Sequence, residues 1–78
     1  MNPLTLQRLN DQVFRVLTRQ GEQVGNLKRI GGVWKFKAIG HDASGNIIPG
    51  GGPYTERHNM VFALADAALV SAGLNAGP

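Results

Sequence analysis

Val13-Phe14-Arg15-Val16-Leu17-Thr18-Arg19, Gln23-Val24-Gly25-Asn26-Leu27-Lys28-Arg29-Ile30 and Val33-Trp34-Lys35-Phe36-Lys37-Ala38-Ile39 succeed one another, with Gln20-Gly21 and Gly31-Gly32 at the breaks. The first of these runs is rich in β-branched and aromatic residues, and the two that flank Gly31-Gly32 mix apolar with polar side chains as half-buried strands do. Glycine supplies the positive φ that a tight reversal needs. A Gly-Gly pair between two such runs is the signature of a two-residue hairpin turn of the I′ or II′ type. The stretch from Gln12 to Ile39 therefore predicts a three-stranded antiparallel meander.

Two-residue turns at both breaks set the register. Trp34 then faces Arg29, Phe36 faces Leu27 and Ala38 faces Gly25, while Val16 faces Gly25 and Phe14 faces Leu27. One face collects Phe14, Val16, Leu27, Trp34, Phe36 and Ala38, which is the predicted core. The opposite face takes Val13, Arg15, Leu17, Val24, Asn26, Lys28, Ile30, Val33, Lys35, Lys37 and Ile39, with Lys28 directly across from Lys35.

Working outward, Asn2-Pro3 with Leu6, Leu9 and Val13 beyond it reads as a short helix, with Asn as N-cap and Pro at the first helical position. Leu4 and Leu6 alternate with polar residues equally well, so an edge strand is the alternative. On the other side, His41 to Thr55 is rich in Gly and Pro and longer than an ordinary connection. Asp42-Ala43-Ser44-Gly45-Asn46 reads as a turn, Ile47-Ile48 as a very short fourth strand, and Pro49-Gly50-Gly51-Gly52-Pro53 as a mobile loop. A long C-terminal helix is expected from Thr55, its N-cap. Its apolar stripe would be Val61, Leu64, Ala65, Ala68, Leu69 and Ala72, with Gly73 ending it and Leu74 as the hydrophobic contact.

The expected fold class is thus α+β: an antiparallel meander with a short fourth strand, a C-terminal helix packed on one face and a short N-terminal helix. Residues 1–74 would form one domain and 75–78 a frayed tail, since 78 residues cannot offset the entropy of ordering two separate cores. This order of elements resembles that of double-stranded-RNA-binding domains. The resemblance is one of topology: where that family carries a lysine cluster at the start of its last helix, this chain has Thr55, Glu56, Arg57, His58 and Asn59.

Composition narrows the chemistry. The chain has no cysteine, which excludes disulfides, thiolate metal sites and Cys nucleophiles, and makes a reducing cytoplasm the expected location. No apolar run approaches the roughly 20 residues of a membrane-crossing helix, and Met1 to Arg8 lacks the basic-then-apolar pattern of a secretory signal. Ser44, His41 and Asp42 are neighbours in one turn, where a nucleophile relay cannot form across space. The five acidic residues are scattered singly. His41, Asp42, Glu56 and His58 do not match a tight metal-ligand spacing. No enzyme activity, cofactor or metal is expected.

Charge is the informative feature. Residues 1–40 hold seven basic and two acidic side chains, a balance of +5, whereas residues 41–78 hold one and three, a balance of −2. Arg15, Lys28, Lys35 and Lys37, with Arg19 at the rim, would put several cations within reach of a polyanion, and phosphate contacts supply most non-specific nucleic-acid affinity. Gly50, Gly51 and Gly52, ahead of a helix N-terminus, form a weaker candidate anion site. The aliphatics Val13, Leu17, Val24, Ile30, Val33 and Ile39 on the same sheet face suggest an interface with a protein partner or a second copy of the chain. A protein-interaction module, self-associating in one version, is the leading expectation, and nucleic-acid or anion binding through the basic face is the alternative.

Overall fold

The computed structural model of the chain describes residues 3–76. Strands β1 (Thr5–Asn10), β2 (Val13–Leu17), β3 (Gln23–Ile30), β4 (Val33–His41) and β5 (Ile47–Pro49) lie side by side in sequence order. β6 (Val61–Phe62) also pairs with β4, and one helix, α1 (Ala67–Leu74), comes last. All pairings are antiparallel. The domain is α+β as expected, with more strands and less helix than the sequence suggests.

The meander has the register read from its turns. Gly31 and Gly32 both take positive φ, 59° and 82°, the I′ arrangement whose twist matches that of the flanking strands. Arg29 pairs with Trp34, Lys28 with Lys35, Leu27 with Phe36 and Gly25 with Ala38. Phe14 and Val16 pair with Leu27 and Gly25.

The break near Gln20-Gly21 differs from the two-residue turn expected there. Thr18 closes on Glu22, its N–H donating to the Glu22 carbonyl at 2.8 Å, so the loop is wider. A β-bulge between Val16 and Leu17 absorbs the difference, pairing Leu17 with Gln23. Bulges put an extra residue into one strand and re-aim side chains. Val24 is the residue re-aimed: it leaves the outer face assigned to it and is fully buried.

The core cluster is Leu4, Val16, Val24, Leu27, Phe36, Ala38, Phe62, Val70 and Leu74, with Phe14 and Trp34 packed against it. Phe14 and Trp34 meet edge to face, centroids 5.2 Å apart. Burial of each large side chain such as Phe36 or Leu27 contributes about 1.5–3 kcal/mol.

The N-terminal segment is the edge strand, not the short helix, and the N-cap assigned to Asn2 lies outside the described residues. Thr5, Leu6, Gln7 and Arg8 pair with Leu17, Val16, Arg15 and Phe14. Period two wins because Leu4 and Leu6 then both turn toward the core, whereas a helical stripe would have relied on Leu9, which is exposed. Ser71 of α1 anchors the segment: its hydroxyl accepts from the Leu4 N–H at 2.9 Å and donates to the Leu4 carbonyl at 3.2 Å.

The C-terminal helix is much shorter than expected. Thr55–Arg57 is a single 3-10 turn, and Asn59 takes positive φ, which ends any helical path. The chain then enters β6, where Phe62 is buried and Val61 is 51% exposed, an alternation of period two. Asp66, not Thr55, is the N-cap, its carboxylate accepting from the Leu69 N–H at 2.9 Å. The expected stripe faces the wrong way: Leu64 is 65% and Leu69 42% exposed, and Val70, Ser71 and Leu74 are buried instead. Gly73 is no terminator. It lies inside α1 against the Phe62 ring, where a Cβ would collide. With this change the element order no longer parallels that of double-stranded-RNA-binding domains.

β4 has partners along its whole far edge. β6 covers Trp34 and Lys35, and β5 covers Ile39 to His41. Between them the Phe36 N–H donates to the Met60 carbonyl at 2.8 Å, and the Asn59 N–H donates to the Phe36 carbonyl at 2.7 Å. At Ala38 the carbonyl accepts from the Gly50 N–H at 2.8 Å and the N–H donates to His58 Nδ1 at 3.0 Å. Residues 50–52 therefore pack onto the sheet rather than forming a mobile loop. Gly40 and Gly52 cross so closely that a Cβ on Gly40 would sit 2.6 Å from the Gly52 nitrogen.

Candidate functional site: a basic sheet face

All five acidic residues, Asp11, Glu22, Asp42, Glu56 and Asp66, lie outside the strands, while six of the eight basic residues lie on them. Parity then sorts the cations. Arg8 and Arg29 stand opposite Phe14 and Trp34 on the core side, and Arg8 pairs with Asp11. Arg15, Lys28, Lys35 and Lys37 share the other face. Because α1 packs on the core side, Arg15 and Lys28 are exposed there and Lys35 and Lys37 are half-exposed.

Register places these four in two adjacent ranks across the sheet. One rank reads Gln7, Arg15, Asn26, Lys37 from β1 to β4, and the next reads Val13, Lys28, Lys35, Val61 from β2 to β6. Directly opposed residues in a sheet stand about 4.5–5.5 Å apart at Cβ, and like charges there repel. Lys28 and Lys35 hold that arrangement with no hydrogen-bond or ion-pair partner among the described residues. Lys37 Nζ reaches Asn59 Oδ1 at 2.6 Å and Arg15 Nη1 reaches Gln7 Oε1 at 3.4 Å. Both partners are neutral amides, so they orient the cations without cancelling their charge.

Two candidates fall elsewhere. Arg19 sits in the β2–β3 loop and lines a cavity of about 540 Å³ together with Glu22, Val24 and Tyr54, away from the four cations. In the glycine segment, the Gly50 and Gly51 N–H groups donate to the Ala38 and Ile48 carbonyls, and the Gly50 carbonyl accepts the Thr55 hydroxyl. The element after it is one 3-10 turn, Thr55–Arg57, so the helix N-terminus on which an anion site at Gly50, Gly51 and Gly52 depended is not there. The aliphatic complement is also smaller than expected. Val24 belongs to the core and Ile39 is buried, leaving Val13, Leu17 and Val33 half-buried and Ile30 exposed on the outer side.

His58 is a structural participant that the spacing of the sequence does not single out. Its Nδ1 accepts from the Ala38 N–H, which places any ring proton of the neutral form on Nε2. Asp42 is held in its turn: Oδ1 accepts from the Ser44 and Asn46 N–H groups, each at 2.9 Å. Those bonds, the Asn46 backbone bond foremost, hold its carboxyl below the usual value of 3.8. No group of three or more His, Cys, Asp or Glu residues that could hold a metal occurs among the described residues, and none of their helices is long and apolar enough to cross a membrane.

Comparison of the chain with protein-family models, with curated proteins and with solved structures returned no match.

Proposed function

We propose that this chain is a non-enzymatic binding module that holds nucleic acid through its phosphate backbone, using Arg15, Lys28, Lys35 and Lys37 on the outer face of the sheet. The observation that carries the reading is the Lys28–Lys35 pair, two cations opposed across neighbouring strands with no anion near them in rank. An arrangement that costs stability in the free protein is relieved when a polyanion neutralises it. The face has no aromatic residue for bases to stack on, since Phe14, Trp34 and Phe36 all pack toward the core. Binding is therefore directed at phosphates and is insensitive to sequence.

Face-to-face self-association is disfavoured by the same charges, because a two-fold contact would set Lys28 and Lys35 of one copy against those of the other. Self-association finds its support in a different element, the outer edge of β1, which has no strand beside it among the described residues. A sedimentation mass that stays monomeric as concentration rises would end that second reading.

The test of the first is a fluorescence-anisotropy titration of a labelled oligonucleotide at several salt concentrations. Four phosphate contacts give a log-log salt slope of about −3 to −4. Lys28→Glu alone should abolish most of the binding while creating a cross-strand ion pair with Lys35 that stabilises the fold by about 0.2–1 kcal/mol. Loss of binding with gain of stability separates this account from simple unfolding. Equal affinity of the wild type and Lys28→Glu would overturn it.

A further inference from the structure

The rank Gln7, Arg15, Asn26, Lys37 extends one position further, because the Asn59 N–H donates to the Phe36 carbonyl and the Asn59 side chain meets Lys37. Cations and carboxamides alternate along it. Which end of each carboxamide faces its neighbour follows from partners that can act in only one way. Arg15 and Lys37 only donate, so Gln7 turns Oε1 to the guanidinium at 3.4 Å and Asn59 turns Oδ1 to the ammonium at 2.6 Å. Gln23 Nε2 donates to the Gly25 carbonyl, which only accepts, and the same nitrogen donates to Asn26 Oδ1 at 2.8 Å. All three amide oxygens are thus engaged within the protein. Their NH2 groups have no partner among the described residues.

The row therefore presents N–H donors from end to end. The adjacent rank adds the Lys28 and Lys35 ammoniums between Val13 and Val61, and no acceptor. Side-chain acceptors begin one rank beyond, at Thr5 and Gln23, which both pair with Leu17. Beneath, β2, β3 and β4 each have a strand on both sides, so their carbonyls are engaged in the sheet. Neighbouring strands lie about 4.8 Å apart, so the row is about 19 Å long, enough to pass several phosphates.

A surface of donors matches a ligand whose accessible surface is made of acceptors. A single strand is a poor match, because its unpaired bases carry amino donors that meet no acceptor in these two ranks and no ring to stack on. In a duplex the bases pair with one another, and the exterior is a continuous run of phosphate oxygens. Resting on the reading of the basic face as a nucleic-acid site, we propose that its ligand is a double helix. Gln7, Asn26 and Asn59 are further binding residues, their NH2 groups donating to phosphate oxygens between the cations.

The experiment is an anisotropy titration of the full chain with a labelled mixed-sequence duplex and with each of its separated strands, in DNA and in RNA, at matched phosphate concentration and salt. The duplex should bind about tenfold or more tightly than either strand in both chemistries, since phosphate is common to them. Gln7→Leu and Asn26→Leu each remove an NH2 donor and no charge. Each should weaken duplex binding about threefold to tenfold at every salt concentration while leaving the log-log salt slope unchanged. Gln7 is exposed on the edge strand, so its variant tests the donor without disturbing the core. Equal or tighter binding of the single strands would overturn the proposal and leave the basic-face reading standing. So would a duplex preference confined to DNA or to RNA, or wild-type duplex affinity in either variant. No binding of any probe at low salt would instead remove the basic-face reading, and this proposal with it.

Discussion

His58 Nδ1 accepts the backbone N–H of Ala38 at 3.0 Å, so one imidazole fills the place of a strand between β5 and β6. Strand edges must find partners for each buried N–H and C=O. On β4 that need is met by two short strands, the backbone of Asn59 and Met60, the Gly50 amide and this side chain. His58→Ala should leave the buried Ala38 amide without its acceptor, lowering stability by about 1–3 kcal/mol in urea unfolding. Faster hydrogen exchange at Ala38 is the accompanying local signature, and an unchanged exchange rate there would show that the bond is not formed.

Gly25 sits between Val16 and Ala38 in register, and its missing side chain is the space that the Phe36 ring occupies. A Cβ there would also lie 2.7 Å from the Lys37 carbonyl oxygen, so backbone as well as ring would have to move. Gly25→Ala should therefore destabilise by about 1–3 kcal/mol, the usual cost of overpacking, measured by the denaturation midpoint. A neutral substitution would mean that Phe36 does not fill this site.

Asp66→Ala discriminates between the short helix and a long one. As N-cap of α1, Asp66 accepts from the Leu69 N–H, and its loss should cost about 1 kcal/mol. Were the helix to begin at Thr55, position 66 would be interior and Ala, the better helix former, would stabilise. The sign of the change in the thermal midpoint is the readout.

The Asp42 turn makes a pH prediction. Its carboxyl is held below 3.8 by the Asn46 and Ser44 backbone bonds, so the ionised form is the one the fold favours. A group depressed in the folded state adds stability that is present above its unfolded value and is lost as pH falls through its folded value. The turn should thus loosen only below about pH 3.8, seen as coupled carboxyl and Asn46 amide shifts in an acid titration, and Asp42→Asn should remove that dependence.

Much of the sheet is legible in the residues because Gly31-Gly32 leaves little freedom: two positive-φ residues between alternating runs determine which side chains oppose each other. The Lys28–Lys35 opposition is a consequence of that parity and is present. Val24 departs from its expected face because a bulge changes parity without a marker in the residues themselves. The C-terminal region misleads because Val61, Leu64, Ala65, Ala68 and Leu69 fit a helical period by spacing alone, although a strand, an irregular stretch and a helix share them. Asn59 with Asp66 seven residues on, a left-handed break and then a cap, is the signal that separates them. Arg19 is near the basic rim in sequence, whereas the wider β2–β3 loop carries it to the cavity. His58 has no local signal, since its partner is twenty residues away on another strand.

The most direct measurement of the central claim is an amide-shift map of the chain titrated with a short oligonucleotide at low salt. Shifts should concentrate at Arg15, Asn26, Lys28, Lys35, Lys37 and Asn59 and fade as salt is raised. Shifts confined to the core side or to β1, or none at low salt, would contradict it.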